Sequence, residues 1–223
     1  IINLPAMIAA IVFCGTIFVM TERRDLKASY GDARHGIWAA LVRSALMRLK
    51  SASFHPGNWR PNLLILGGDP KRRPYLLHLG SAIVQERGIV TYVRLLIGSV
   101  REHRGERQPG AEAMQAEFGD QLPNVFFRVE IVPAAHAGIV SVAQSYGLGT
   151  FEANSVMLNW SSRPEARPTY LDALRDLTLL DRNLLLVQNS DHRGFGDRKS
   201  IHVWWGGLKG NGGLMLLLSH LLT

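Results

Sequence analysis

From residue 62 onward the chain alternates short apolar runs with segments of helical period, and this alternation is the strongest constraint on its fold. "NLLILGG", "IVTYVRLLIG", "VFFRVEIV", "NSVMLNW" and "NLLLVQN" read as five strands. "RPYLLHLGSAIVQERG", "GAEAMQAEFGDQL", "AAHAGIVSVAQSYG" and "RPTYLDALRDLTLLD" read as the helices between them. Pro74 stands near the start of the first helix and Gly88 just past its end, where each residue is favoured. The strands are continuous apolar runs rather than alternating ones, so both of their faces are buried. Parallel strands joined by right-handed helical crossovers make a doubly wound fold. The expectation is an α/β domain with a mainly parallel five-stranded sheet flanked by helices. With 223 residues, 47% of them hydrophobic, the chain is long and apolar enough to bury such a core.

The first twenty residues, "IINLPAMIAAIVFCGTIFVM", carry no charge. Twenty residues at about 1.5 Å each span roughly 30 Å, the hydrocarbon thickness of a bilayer. Pro5 lies near the start, where a helix tolerates it. Arg23, Arg24 and Lys27 follow the run, as expected on a cytoplasmic flank. A secretory signal would need basic residues before the run and a small-residue cleavage site after it, and neither is there. A transmembrane helix over residues 1–22 is expected, with everything after about residue 21 on the cytoplasmic side of the cell membrane. Cys14 is the single cysteine, which excludes a disulfide framework and a cysteine-based zinc site; within the span it reads as a small apolar packer. The chain begins with Ile, as a piece of a longer protein would.

Residues 23–57 read as a basic juxtamembrane connecting segment. Its helix, "GDARHGIWAALVRSALMRLKSA", has Asp32 as N-cap and repeats Ile37, Leu41, Ala45 and Leu49 every four residues, with Trp38, Val42 and Leu46 beside them. Arg34, Arg43, Arg48 and Lys50 occupy other positions. Two placements suit this amphipathic helix: docked on the following domain, or against anionic headgroups. Residues 21–60 hold eight Lys/Arg and three Asp/Glu, a net of +5 out of +7 for the whole chain. The folded part is therefore close to neutral, which argues against nucleic acid as a partner.

"SFHPGNWRP" marks the entry into an α/β unit over residues 58–192. After a polar, glycine-containing link, "IHVWW" reads as a sixth strand and "GGLMLLLSHLL" as a helix. Sliding this end back by 139 positions lays Gly206–Gly207 on Gly67–Gly68, and lays Leu214–Leu222 on Tyr75–Ile83. Residues 193–223 are thus expected to open a second, truncated α/β subdomain.

Chemistry-bearing motifs are sparse. There is no G-x-x-x-x-G-K-[ST] and no complete dinucleotide fingerprint. The eight histidines are scattered without ligand spacing. Ser190, Asp191 and His192 are triad residue types, but adjacent loop residues cannot form the triad's hydrogen-bond chain. No catalytic group and no metal site is assigned, and an enzyme is not expected. One location stands out. In a doubly wound sheet, ligands bind beyond the carboxyl ends of the strands at the switch in strand order. The first strand ends in "GGDPKRRP". Gly67 and Gly68 would admit close backbone approach, Asp69 begins the turn, and Lys71, Arg72 and Arg73 offer positive charge for a nucleotide or phosphate. The other reading of the same residues is a tight turn with solvated basic side chains.

Several segments together resemble cation–chloride cotransporters. "GNWRPNLLILGG", with Asn58, Trp59, Arg60 and Pro61, resembles the start of that family's cytoplasmic C-terminal domain, and "RPYLLHLGSAI" resembles the helix that follows. "GLGTFEANSVMLNW", with Asn154, is similar to the family's glycine-rich segment running into an apolar strand, with Ala153 where the family has Pro. "KSIHVWWGGLKGNGGLMLLLSHLL", with Trp204, Trp205, Gly212 and Gly213, resembles a further family segment, with His202 where Asp is usual. "YGDARHGIWAALVRSALMRL" is similar to the helix after the last membrane span, with Tyr30 for Trp. The looser glycine linker after the tryptophans resembles prokaryotic members. The resemblance implies a secondary active symporter of chloride with sodium and/or potassium, with a membrane domain of the amino-acid permease superfamily. It implies that this chain carries the last membrane helix and part of a cytoplasmic regulatory domain. That domain would be universal-stress-protein-like and homodimeric, associated with its own membrane domain. Adenine nucleotide is the one cofactor it raises, and a nucleotide-binding sensor module is the alternative function. The ion-binding residues would lie in membrane helices upstream, so none is assigned here.

Overall fold

The structure is a computed structural model. It describes residues 4–23, 33–52, 59–85, 87–149, 151–161, 163–190, 192–197, 199–204 and 210–223. The chain divides into two compact units, Ile1–Ala52 and Ser53–Thr223.

The first unit contains two helices, α1 (Leu4–Arg23) and α2 (Ala33–Ser51). Every described side chain of α1, from residue 4 to residue 20, is exposed. Thr16 turns its hydroxyl back to the Val12 carbonyl at 2.7 Å, so its polar group is satisfied within the helix. Among the described residues no helix is long and apolar enough to cross a membrane. The transmembrane helix expected over residues 1–22 is therefore not shown.

The second unit is built on five parallel strands. They are β1 (Asn62–Gly67), β2 (Ile89–Ile97), β3 (Val125–Val132), β6 (Ser155–Asn159) and β7 (Asn183–Val187), in the order β3-β2-β1-β6-β7. A two-residue antiparallel pair, β4 (Gly147–Leu148) with β5 (Phe151–Glu152), interrupts the glycine-rich segment before β6. Helices α3 (Pro74–Val84), α4 (Arg107–Phe118), α5 (Ala135–Ser145) and α6 (Arg167–Leu179) make the crossovers. β1 lies at the centre, pairing with β2 (Leu63 opposite Val90) and with β6 (Leu63 opposite Ser155).

The two-residue period of β1 divides the core into two layers. Leu63 and Ile65 pack with Leu76, Leu77 and Val84 of α3 and Met114 of α4. Leu64 and Leu66 pack with Ile139 and Ala143 of α5 and Leu174 and Leu177 of α6. All four β1 leucine and isoleucine side chains are 2% exposed or less, each contributing about 1.5–3 kcal/mol of burial. The strand has no polar face because it has no solvent face, which is why its sequence reads as a continuous apolar run.

The edge strand β3 is guarded. Arg107 Nε donates to the Val129 carbonyl at 3.1 Å, and both Arg107 and Arg128 pair with Glu130 at 2.8 and 2.6 Å. Covering an edge carbonyl with a charged side chain discourages further strand pairing.

The carboxyl end of the chain differs from the strand-and-helix repeat expected there. Helix α7 (Gly212–Leu221) forms, but Ile201–Trp204 is not a strand and is exposed throughout. Trp205 through Lys209, including Gly206 and Gly207, lie outside the described residues. Helix α7 packs beside α3, burying Leu221 in the β1–α3 layer, and the Leu221 carbonyl accepts from Gln85 Nε2. Leu221, with the half-buried Leu218 and Leu222, thus finds a partner surface, while Leu216 and Leu217 are exposed.

Candidate functional site

The switch in strand order falls between β1 and β6, because the chain winds outward through β2 and β3 and then returns past β1. The "GGDPKRR" turn leaves β1 at this point. Gly67 is required by its neighbour: a Cβ there would lie 2.8 Å from the buried Tyr92 hydroxyl. That hydroxyl donates to the Gly68 carbonyl at 3.1 Å, fixing the exit of the strand. Asp69 turns inward on its own loop, its Oδ1 accepting the Lys71 amide at 3.0 Å and capping a short 3-10 turn over Pro70–Arg72. Burial pushes the Tyr92 phenol well above its ordinary range, with the Arg73 charge opposing.

The three basic side chains after the glycines have different surroundings. Lys71 reaches Glu117 on α4 at 2.9 Å, and the hydrogen bond and charge of that carboxylate raise its pKa. Arg72 is exposed on the turn. The Arg73 charge acts on two buried phenols, lowering both Tyr92 and Tyr170 against the effect of burial. Burial nonetheless leaves Tyr170 pushed up to about 12.

Across the switch, Asn159 at the end of β6 gathers hydroxyls from both layers. Tyr75 of α3 donates to Asn159 Oδ1, and Tyr170 of α6 donates to the Asn159 carbonyl at 2.9 Å. Asn159 Nδ2 donates onward to the Trp160 carbonyl at 2.8 Å. Trp160 and His136 both meet the Tyr170 ring edge-on, with centroids 6.2 and 5.9 Å away. The crevice that doubly wound folds offer to ligands is here lined by side chains engaged with one another. Of the groups expected to hold an anion, Gly68 and Arg72 are exposed, whereas Gly67 and Asp69 serve the turn itself and Lys71 is paired with α4.

The motif residues that carry the family resemblance meet at the opposite, amino end of the sheet. Asn154, just before β6, donates from Nδ2 to the Arg60 carbonyl at 2.6 Å, and its Oδ1 accepts the Asn62 amide at 3.1 Å. Its own carbonyl accepts the Asn183 amide at 2.9 Å and Asn183 Nδ2 at 3.1 Å. One side chain and one peptide thereby tie the entries of β1, β6 and β7 together. Pro61 is buried, and its carbonyl accepts the Ile89 amide at 3.1 Å at the start of β2. A Cβ on Gly88 would overlap that carbonyl, so this position needs glycine. Trp59 is half-buried, and Arg60 folds back to the Trp59 carbonyl at 2.8 Å. Ala153, where the family has Pro, is fully buried.

Of the remaining motif residues, those described lie outside this cluster. Trp204 is 86% exposed, Gly212 and Gly213 open α7, and Asn58 and Trp205 lie outside the described residues. Reading the sequence did not foresee Asn62, Asn159, Tyr75 or Tyr170. The signal available was a polar residue at the end of an otherwise apolar strand, Asn62 opening β1 and Asn159 closing β6, but their side-chain partners lie 90 and 84 residues away: Asn62 Nδ2 donates to the Glu152 carbonyl and Tyr75 donates to Asn159 Oδ1.

Among the described residues no group of three or more His, Cys, Asp or Glu side chains is arranged to hold a metal ion. A cavity of about 390 Å³ lies between α3 and the segment before α7, lined by His78, Leu79, Ala82, Phe195, Ile201 and Leu222. It is not at the strand ends.

No family model matches the sequence. The chain is similar, at 19% identity and a TM-score of 0.49, to a solved structure described as the cytoplasmic domain of a prokaryotic cation chloride cotransporter; the match covers 74% of this chain and 62% of that one. The chain thus spans less than two thirds of the length of that structure.

Proposed function

We propose that this chain is the membrane-proximal part of a cytoplasmic regulatory and dimerisation domain of a secondary active cation–chloride cotransporter. In this reading residues 1–22 are the last membrane helix, 23–57 the connecting segment and 58–192 the first α/β unit, with 193–223 opening a second. The residues after about 21 are cytoplasmic. The observation that carries the reading is the hydrogen bonding of Asn154 to Arg60 and Asn62. It joins the two segments of strongest family resemblance, "NWRPN" and "FEANS", which lie more than ninety residues apart. Motifs that meet through specific hydrogen bonds support a shared architecture better than motifs merely in order. The uncharged run of residues 1–20, together with the exposed side chains of residues 4–20, supports the membrane helix.

The test is transport by the full-length protein in proteoliposomes. Radiolabelled chloride uptake should require sodium or potassium on the same side. Chloride uptake that ignores both cations, or none at all, overturns the assignment. Crosslinking in the same proteoliposomes reports the dimer, and a strictly monomeric protein removes that part of the reading.

The second reading, a nucleotide sensor in which the turn from Gly67 to Arg73 holds adenine nucleotide, draws on the position of that turn at the strand switch. Calorimetry with ATP, ADP and AMP tests it. Absence of heat and of thermal shift at millimolar nucleotide removes it.

A further inference from the structure

We infer that α2 is an interfacial helix that binds anionic lipid headgroups, laying one apolar half into the membrane surface. At 3.6 residues per turn, Ile37, Trp38, Leu41, Val42, Leu46 and Leu49 share one half of α2. All but the half-buried Leu46 are exposed, Trp38 to 61% and Val42 to 59%. Five exposed large apolar side chains on one helix half form a patch that soluble surfaces rarely leave uncovered.

Charge selects the occupant. The segment Ala33–Ser51 contains Arg34, Arg43, Arg48 and Lys50 and no Asp or Glu. At about 100° per residue, Arg43 and Lys50 lie opposite the apolar half, whereas Arg34 and Arg48 fall within it, Arg34 in the first turn of the helix and Arg48 between Ile37 and Leu41 near one edge; from that edge a long side chain extends to the headgroups while its stem stays on apolar surface. Two copies meeting through this half would bring Arg34 and Arg48 of each, four cations, into one seam with no acidic partner, so a second copy of the chain is the wrong occupant. An anionic bilayer surface matches both features, because its interface takes the apolar side chains and its headgroups take the cations.

Reach is consistent with this. Nine residues separate α1 from α2, and ten peptide units span at most about 36 Å. If α1 is embedded in the bilayer, α2 begins close to the same leaflet. In this respect the inference rests on the reading of α1 in the proposed function.

The test uses the full chain with Cys14→Ser, reconstituted into nanodiscs of phosphatidylcholine or of a phosphatidylcholine–phosphatidylglycerol mixture. An environment-sensitive fluorophore is placed at Ala45→Cys, in the middle of the apolar half, or at Met47→Cys, on the opposite half. The expected result is a blue-shifted emission at position 45 in the anionic discs only, reversed by 1 M salt, with position 47 unshifted in both. Arg43→Gln with Arg48→Gln and Lys50→Gln should weaken the docking equilibrium about 100-fold, at roughly fivefold per cation. Equal shifts in both lipids, or no shift in the anionic discs, overturn the inference. The fate of α1 is read separately. A chain that floats with anionic vesicles but is stripped from them by 1 M salt, while position 45 still reports lipid, supports the α2 inference and overturns the embedded α1.

Discussion

Asn154 Nδ2 donates to the Arg60 carbonyl at 2.6 Å, linking residues 94 apart in the chain. The same side chain accepts the Asn62 amide, and the Asn154 carbonyl accepts from Asn183, so three parallel strands are registered at one residue. Parallel strands have no hairpin to set their alignment. A polar residue with a donor and an acceptor at the strand entry supplies what a turn would supply in an antiparallel pair.

Asn154→Ala should therefore cost about 2–4 kcal/mol, from two or three hydrogen bonds whose partners are left partly buried. Asn154→Asp should not rescue it, because a carboxylate offers no proton to the Arg60 carbonyl. Urea unfolding followed by tryptophan fluorescence measures both. A loss below about 0.5 kcal/mol for the alanine variant would show that water replaces the side chain.

Gly67 and Tyr92 should behave as a coupled pair. Gly67→Ala places a methyl 2.8 Å from the Tyr92 hydroxyl oxygen, whereas the next ring atom is at 3.5 Å, an ordinary contact. The single change should cost about 1–3 kcal/mol as overpacking. In the Tyr92→Phe background, where the hydroxyl is gone, the added methyl should cost under about 1 kcal/mol. A double-mutant cycle with no coupling would mean that the turn moves freely to make room.

The loop after β2 should depend on pH through His103. Nδ1 faces Glu106 at 3.2 Å and Nε2 faces the Ile97 carbonyl at 3.1 Å, so both ring nitrogens meet acceptors and the imidazolium is favoured. The Ile97 carbonyl and Glu106 raise the His103 pKa. A raised folded-state value gives stability that is fully present below the unfolded value of about 6.5 and lost as pH rises through the folded one. Glu102 has the opposite sign. Hydrogen bonds from Ser99 lower its pKa, so its contribution is present above the ordinary carboxylate range and lost as pH falls through the folded value. Amide protection factors across residues 98–106, which divide out the intrinsic pH dependence of exchange, should be largest in mildly acidic solution and fall on both sides. His103→Ala should abolish the alkaline limb alone.

Tyr92 and Tyr170 should ionise late. Burial pushes Tyr92 and Tyr170 up, Tyr170 to about 12. Absorbance titration should show two of the five tyrosines ionising late. Tyr170→Phe should remove one late step, and ionisation of all five together near pH 10 would contradict the buried placements.

The apolar runs and their helical spacers were sufficient to read five parallel strands with helices on both faces, because burial on two sides leaves its mark on every residue of a strand. The two-residue period of Leu63 to Leu66 even assigns each side chain to a layer. The end of the chain was less legible. "IHVWW" has strand composition, yet Ile201–Trp204 makes no ladder, since a strand needs a neighbour as well as a propensity. Helix α7 was legible because its apolar residues need only one surface, and α3 provides it.

The turn at Gly67 to Arg73 shows the same division. Sequence alone located it at a strand end and at the switch in strand order, since topology follows from the alternation. That Lys71 is paired with Glu117, and that Tyr75, Tyr170 and Asn159 bond to one another beside the turn, depended on residues from other elements. Local sequence determines what a segment can form by itself, through period and burial. Which polar groups are spent on one another depends on contacts between segments forty to ninety residues apart, and only the folded chain brings those together.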